Sequence, residues 1–458
     1  MDRASAEPSV DVVPGTRATQ WVEAHHEHAA PSTHVYEFVW DHTAPAAGPF
    51  CTDIDGNVLM DFTSHVGAAP LGYDNPRVRE KLDALDVPDP AKIAGQDFYV
   101  AGGAGGPDEP EFPGPTQLQD RLADRCSQYG LDTVFLSNSG AEAVENAIKI
   151  CYDETGGRRG ITFEGAFHGR TLGALSLNRS KQVHRHTFPD VGGIVDAAYC
   201  DDAGGDPADC DCGFFVDGGD SSVLRRKLDP NGGHLPAEEV AYIVVEPIQG
   251  EGGYRIPSDP FLEELADLAA VHDIPIVVDE IQSGIGRTGD FWAVDHGPLE
   301  PDVIASAKAL RVGATIANSA TFPETEGRLS STWGAGDVLA SLQGVLTLDV
   351  IEEENLLGNA TVRGEQFLDL LADAELPGAV DVRGRGLMLA VEFDEKERRD
   401  AIVRECFERG LLLLGCGYST IRFLPPLDVR EREVAIGVET FANAVQAVAT
   451  AREGTPAK

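Results

Sequence analysis

Lysine is scarce in this chain: eight residues among 458. Basic charge as a whole is outnumbered, 36 lysines and arginines against 76 aspartates and glutamates, and the formal net charge is −40. Such a surface repels nucleic acid and anionic membranes, so neither is expected as a partner. Long apolar runs are missing too. None approaches the ~20 residues of a membrane span, and the opening MDRASAEPSVDVVPG has neither the basic start nor the apolar core of a signal peptide. Cysteine is limited to eight scattered positions, the usage of reduced thiols in a cytosolic enzyme. A cytoplasmic location is therefore expected. An acidic disordered tail is the bland account of the charge, but the acids are spread along the chain and 42% of residues are hydrophobic. That pairing is expected of a folded, halophilic protein kept soluble by its acidic surface.

At this length the chain can bury a large core and is expected to form two lobes. Its centre of interest is Pro275–Lys308, PIVVDEIQSGIGRTGDFWAVDHGPLEPDVIASAK. Ile276-Val277-Val278 reads as a buried parallel strand ending on Asp279, where an α/β sheet presents ligand-binding residues. A second apolar run, Val303-Ile304-Ala305, ends close to Lys308. An acid and a lysine each closing an apolar run is what pyridoxal 5'-phosphate (PLP) chemistry needs. The lysine holds the cofactor as a Schiff base, and the carboxylate keeps the pyridine nitrogen protonated. Taken singly, the Asp is as well read as a helix cap and the lysine as a solvated surface group. Gly284-Ile285-Gly286-Arg287-Thr288-Gly289 matches GxGxxG formally, but no convincing helix follows it, which excludes a dinucleotide site.

Along the chain, residues 1 to about 48 are rich in Pro and Ala and are expected to wrap over the surface or a partner subunit. Phe50–Phe62 alternates around Asp55-Gly56-Asn57, a hairpin signal. Ala101–Pro115, rich in Gly and Pro, reads as a loop. Thr133-Val134-Phe135-Leu136 is strand-like and runs into Ser137-Asn138-Ser139-Gly140-Ala141-Glu142 and a helical pattern. Ser139 and Glu142 fit a capping box, and a capped helix start with small residues is also a phosphate site; both readings stand. Gly165-Ala166-Phe167-His168-Gly169-Arg170-Thr171 sets an aromatic and a histidine between glycines, which suits stacking on a flat cofactor. Asp190–Glu238 reads as an irregular insertion holding Cys200, Cys210 and Cys212. Three thiolates without a clear fourth ligand favour a metal-free acidic loop, and no metal is expected. Ala241–Val245 is another strand, ending at Glu246. Beyond about Leu339 the pattern becomes α+β. Alternating strands and helices between about 130 and 310 imply a mainly parallel sheet covered on both sides, its strand ends supplying Ser139, Glu246, Asp279 and Lys308.

At these residues the sequence resembles the class III (ω-amino acid) aminotransferases, PLP enzymes of fold type I. The likeness runs from about Phe50 to Val448, through SNSGAEAVENAIK, AFHGRT, VVEPIQGEGG, VVDEIQSGIGRTG, PDVIASAKAL and IRFLPPL. It implies an α/β large domain with a mostly parallel sheet over 71–338, an α+β small domain over 339–458, and an N-terminal segment, 1–70, packing with the small domain. It also implies roles. Lys308 carries the cofactor and moves the proton. Asp279 pairs with the pyridine nitrogen, Gln282 approaches the ring hydroxyl, and Phe167 stacks on the ring beside His168. Ser139, Gly140 and Ala141 hold the phosphate, with Glu246 also near the cofactor. Thr332 reaches the phosphate from the neighbouring subunit, which implies a homodimer or a dimer of dimers with shared sites. Arg422 binds the 2-oxoglutarate carboxylate, Glu251 holds that arginine when an ω-amine donor is bound, and Arg170 and Val66 line the substrate side. Ornithine-specific members carry tyrosine at the position of Val66, so a 4-aminobutyrate-like donor is expected ahead of ornithine or lysine. The family's racemases share the same motifs and form the alternative activity.

Overall fold

The structure is a computed structural model and describes residues 1–33, 35–86, 95–97, 105–108, 110–201, 206–332 and 334–453. The loop expected over Ala101–Pro115 lies in part outside these residues. Two compact units emerge: Met1–Glu80 together with Asn355–Lys458, and Lys81–Glu354.

In the unit of the two termini, β1 (Phe50–Thr52) and β2 (Val58–Asp61) form an antiparallel hairpin with Phe50 opposite Met60. Its turn is tied by Asp53, whose carboxylate accepts from the amides of Asp55 and Asn57 at 2.9 and 2.8 Å. Gly56 supplies the left-handed residue the turn requires, at φ 94°. The segment expected to wrap over the surface or a partner subunit contains a helix, Thr16–His26. Its own sequence offers no capping side chain at Gly15. The cap comes from the hairpin, where Asp55 accepts from the amides of Arg17 and Ala18 at 2.8 Å each.

The chain start is anchored by charge. Arg3 donates to Glu433 at 2.7 and 2.8 Å and to Asp428 at 2.6 Å. Glu433 is 1% exposed, so removing its partner strands a buried anion. Arg3→Ala is expected to cost about 3 kcal/mol of stability, read from chemical unfolding. An unchanged unfolding midpoint would mean that the pair is solvated.

The unit Lys81–Glu354 is built on a seven-stranded sheet. Its members are β3 (Thr133–Ser137), β4 (Arg159–Phe163), β5 (Gly193–Ala197), β8 (Val240–Val245), β9 (Ile276–Asp279), β10 (Val303–Ser306) and β11 (Gly313–Ala317), and β6 (Phe215–Val216) with β7 (Ser221–Ser222) forms a separate ribbon. The order is β3-β11-β10-β9-β8-β4-β5, and all neighbours pair in parallel except around β11, which is antiparallel to both β3 and β10. β5 falls inside the stretch expected to be an irregular insertion. It is a short edge strand with one buried residue, Ala197, so its sequence carries little apolar signal. The β-branched runs of β8, β9 and β10 are buried at every position, as a sheet covered on both faces demands. The helix Gly140–Thr155 lays Ala143, Val144, Ala147 and Cys151 into the same apolar cluster as Val244, Val277, Val303 and Ala305. The helix Val338–Glu353 belongs to this unit, its Val338, Leu342 and Leu346 clustering with Phe112.

The chain then returns to the first unit. β12 (Ala379–Arg385), β13 (Met388–Phe393), β15 (Leu414–Cys416) and β16 (Thr420–Phe423) form a four-stranded antiparallel sheet, and β14 (Leu411–Leu412) pairs in parallel with β2. The final helix, Glu431–Glu453, is long and apolar enough for a membrane span by length and composition. Its Val434, Phe441, Ala444 and Val445 are buried in the protein core.

Candidate active site

The parallel register brings the candidate residues to one edge of the seven-stranded sheet. Asp279 closes β9 opposite Ala305 of β10, and Lys308 lies just past the end of β10. Val245 of β8 pairs with Val278, which sets Glu246 beside Asp279. Ser137, at the end of β3, faces Gly313, at the start of β11, so the helix beginning at Gly140 opens on the same edge. Carboxyl ends of parallel strands are where such sheets present ligand groups.

Lys308 is half-buried and held in a left-handed backbone, φ 33°, at the start of a short 3-10 turn among buried Ala307, Ala309 and Leu310. A non-glycine residue in that region stores strain, and such strain gathers at functional sites.

Asp279 is buried and oriented from two sides. Oδ1 accepts from the amide of Ile281 at 3.0 Å, and Oδ2 lies 2.7 Å from Nδ1 of the buried His168. Burial disfavours the imidazolium, but the bond to Asp279 and the charges of Asp279 and Glu246 outweigh it and raise the His168 pKa. The stability this pair adds is therefore complete below the ordinary histidine pKa and lost as pH rises through the raised one. His168 is itself fixed by Asn178, which accepts its amide at 2.6 Å and donates to the Gly169 carbonyl at 2.9 Å. Its Nε2 is buried and meets no partner among the described residues. In this geometry His168 grips Asp279 through Nδ1, a contact that lone expectations of ring stacking beside Phe167 did not contain.

Glu246 holds two loops together. Its carboxylate accepts from the amide of Phe167 at 2.9 Å and from that of Gly250 at 2.8 Å. Burial pushes its pKa up to about 7. Phe167 is half-buried, with the His184 ring 5.2 Å away edge-on and the guanidinium of exposed Arg170 5.3 Å over its face. Gln282 accepts from the Tyr254 hydroxyl at 2.8 Å. Glu251 accepts from Lys181 at 2.5 Å. Tyr254, Lys181 and His184 carry no motif of their own, and nothing in their spacing marks them in the sequence.

At the start of the helix Gly140–Thr155, Ser139 accepts from the amide of Glu142 at 3.2 Å. The return bond of a capping box is displaced by one residue: Glu142 accepts from the amide of Asn138 at 2.8 Å. The amides of Gly140 and Ala141 open the helix and have no intrahelical acceptor, which makes them an anion site. Thr332 sits beside this turn in its own chain, accepting from Asn138 Nδ2 at 2.7 Å. Gly169 backs the same turn. At φ 146° a Cβ there would lie 2.7 Å from the Ala141 Cβ. Gly169→Ala is expected to displace the two amides and to weaken cofactor binding by at least about tenfold, at a stability cost of roughly 1–3 kcal/mol. Equilibrium dialysis against the cofactor checks it, and native affinity would separate this turn from the phosphate.

In the other unit, Arg422 is buried on β16 between Ala390 of β13 and Leu414 of β15. Val66 follows Ser64 and His65 in three successive left-handed residues, φ 42, 52 and 62°. For a β-branched residue this is a strained backbone, held in part by the Ser64 hydroxyl donating to the Leu424 carbonyl at 2.6 Å.

The residues at the sheet edge fit PLP by the chemistry of their donors: a buried, oriented carboxylate, two open helix-start amides and an amine at a strand end. Residues 35–445 match the family model of the class-III aminotransferases. The chain is 33% identical over 412 residues to an acetylornithine aminotransferase of Methanopyrus kandleri, covering 88% of this chain and 94% of that protein. It is 30% identical over 415 residues to ornithine aminotransferase 2 of Staphylococcus aureus, covering 88% and 93%. Among solved structures, the lysine aminotransferase of M. tuberculosis superposes with a TM-score of 0.79 at 25% identity, covering 94% of this chain and 99% of that one.

Proposed function

The chain belongs to the class-III aminotransferases, PLP-dependent enzymes, and from that premise we propose that it moves the terminal amino group of an ornithine-, N-acetylornithine- or lysine-type donor to 2-oxoglutarate in two half-reactions. The observation that carries the chemistry is the meeting of Asp279, Lys308 and the Gly140–Ala141 amides on one sheet edge. The donor class rests on the relatives, which are named for acetylornithine, ornithine and lysine. That support favours these donors over the 4-aminobutyrate suggested by Val66.

PLP supplies an electron sink that lets a proton leave the carbon bearing the reacting nitrogen. The protein's part follows from its own groups. Lys308 holds the cofactor through Nζ and carries the proton between the two carbons that exchange it. Asp279 keeps the ring nitrogen's proton in place, and His168 fixes the direction of the carboxylate. Phe167 would cover the ring and Gln282 would approach its hydroxyl, while Glu246 holds the loop that presents Phe167. By the family resemblance Arg422 would take the keto acid's carboxylate and Arg170 would contact substrate, while Glu251 is held by Lys181. The assembly is a homodimer, or a dimer of dimers; Thr332, to which the resemblance gives a role in a neighbouring site, here accepts from Asn138 of its own chain.

The test is a panel of ornithine, N-acetylornithine, lysine and 4-aminobutyrate with 2-oxoglutarate in high salt, following glutamate and enantiomer formation together. Glutamate formed fastest from one of the first three, with no racemisation, is the expected result. Preference for 4-aminobutyrate would overturn the donor class, and enantiomer exchange without glutamate would replace the transaminase with a racemase.

A further inference from the structure

Away from the sheet edge just described, the sulfurs of Cys200, Cys210 and Cys212 lie within 4.8 Å of one another. The Cys200–Cys210 and Cys210–Cys212 sulfur separations are 3.3 and 2.7 Å, too long for a disulfide, whose sulfurs bond at about 2.05 Å. Counting ligands along the sequence left three thiols in an acidic loop. The fold turns them towards a common point, although ten residues separate the first from the second.

Two further contacts concern what the sulfurs do. The amide of Phe214 donates to the Cys212 sulfur at 3.4 Å, across Gly213, whose φ of 83° turns the chain back towards it. The Ser258 hydroxyl donates to the Cys200 sulfur at 3.4 Å. A neutral thiol is a weak acceptor, whereas a metal-bound thiolate is commonly supported by such outer donors. Arg255 stands nearby, donating twice to Asp201 at 2.6 Å and lying 5.5 Å over the Tyr199 ring, so a cation flanks the place where thiolate charge would collect.

We propose that Cys200, Cys210 and Cys212 form a zinc site with three thiolate ligands, the fourth position being taken by water. With Zn–S bonds of about 2.3 Å, tetrahedral coordination spaces sulfurs by about 3.8 Å, which these three reach by small rotations of their side chains. Zinc is favoured over harder divalent ions because thiolate is the soft ligand that calcium and magnesium avoid. Binding releases the thiol protons to solvent and changes no oxidation state. The site would have a structural task. The metal would pin Cys210 and Cys212 to Cys200, whose carbonyl already accepts the Ser258 amide at 3.0 Å next to the loop that carries Gln249, Glu251 and Tyr254.

The test uses the full chain with PLP bound, purified under reducing conditions after zinc exposure and without chelator. About one zinc per chain is expected, released to a chromophoric chelator when a mercurial titrates the thiols. Cys210→Ser and Cys212→Ser should each lower that content at least tenfold, and Cys126→Ala, in a buried position elsewhere, should leave it unchanged. Should the serine variants fail to fold, cobalt substitution of the unaltered chain serves instead, since thiolate-to-cobalt absorption in the near ultraviolet requires cysteine ligation. A folded chain that takes up neither metal overturns the site. So does an intact mass short by two hydrogens with the cobalt band absent, which would make the cluster a disulfide pair.

Discussion

Lys308→Ala is expected to bring turnover below detection, a loss of at least about 10⁴-fold. The variant removes the amine just past the end of β10 on the shared sheet edge, to which the proposed function assigns both the covalent hold on the cofactor and the carriage of the proton. It should still fold. The side chain is half-buried, and the backbone strain at φ 33° remains with alanine as it does with lysine. The Gly140 and Ala141 amides and Asp279 are untouched, so the variant should still bind PLP, reversibly. Borohydride reduction followed by mass measurement separates the two states: the native chain should keep the added mass through denaturation, and the variant should lose it. Near-native turnover, or stable covalent retention by the variant, would assign the reaction to another amine.

Asp279→Asn is expected to lower kcat by about two to four orders of magnitude with little change in fold or donor KM. Asparagine keeps the size and can still accept the Ile281 amide, but it carries no charge to hold the ring nitrogen's proton. A second readout distinguishes this from a structural effect. The forces that raise the His168 pKa come from Asp279, through its bond and its charge, and from Glu246. In the variant burial prevails and the His168 pKa should fall below its native value, by an amount that NMR titration of the imidazole reads directly. A rise in KM with kcat unchanged would remove Asp279 from the chemistry. An unmoved His168 would mean that the pair is not electrostatically coupled.

Both residues were legible in the sequence because each closes an apolar run, and an apolar run of β-branched residues is a local signal for a buried strand. The same holds for the hairpin around Gly56, where the turn chemistry lies within the turn itself. Ser139 was legible as a helix start for the same reason, although the return bond from Glu142 reached Asn138 instead. Local sequence thus determined the class of chemistry, the mainly parallel sheet and the placing of Asp279 and Lys308 at its strand ends.

Tertiary structure decided what pairing across the chain controls. His168 reaches Asp279 over 111 residues, and Lys181 reaches Glu251 over 70. Neither contact leaves a trace in spacing, because it depends on strand order and on loop paths that local periodicity does not encode. The edge strand β5 was hidden because an edge buries too little to need an apolar run. The helix Thr16–His26 was hidden because its cap, Asp55, belongs to a distant turn. The three cysteines show the limit most plainly: sequence counts ligands, but only the folded chain sets them within one ion's reach, since coordination depends on distance in space and not along the backbone.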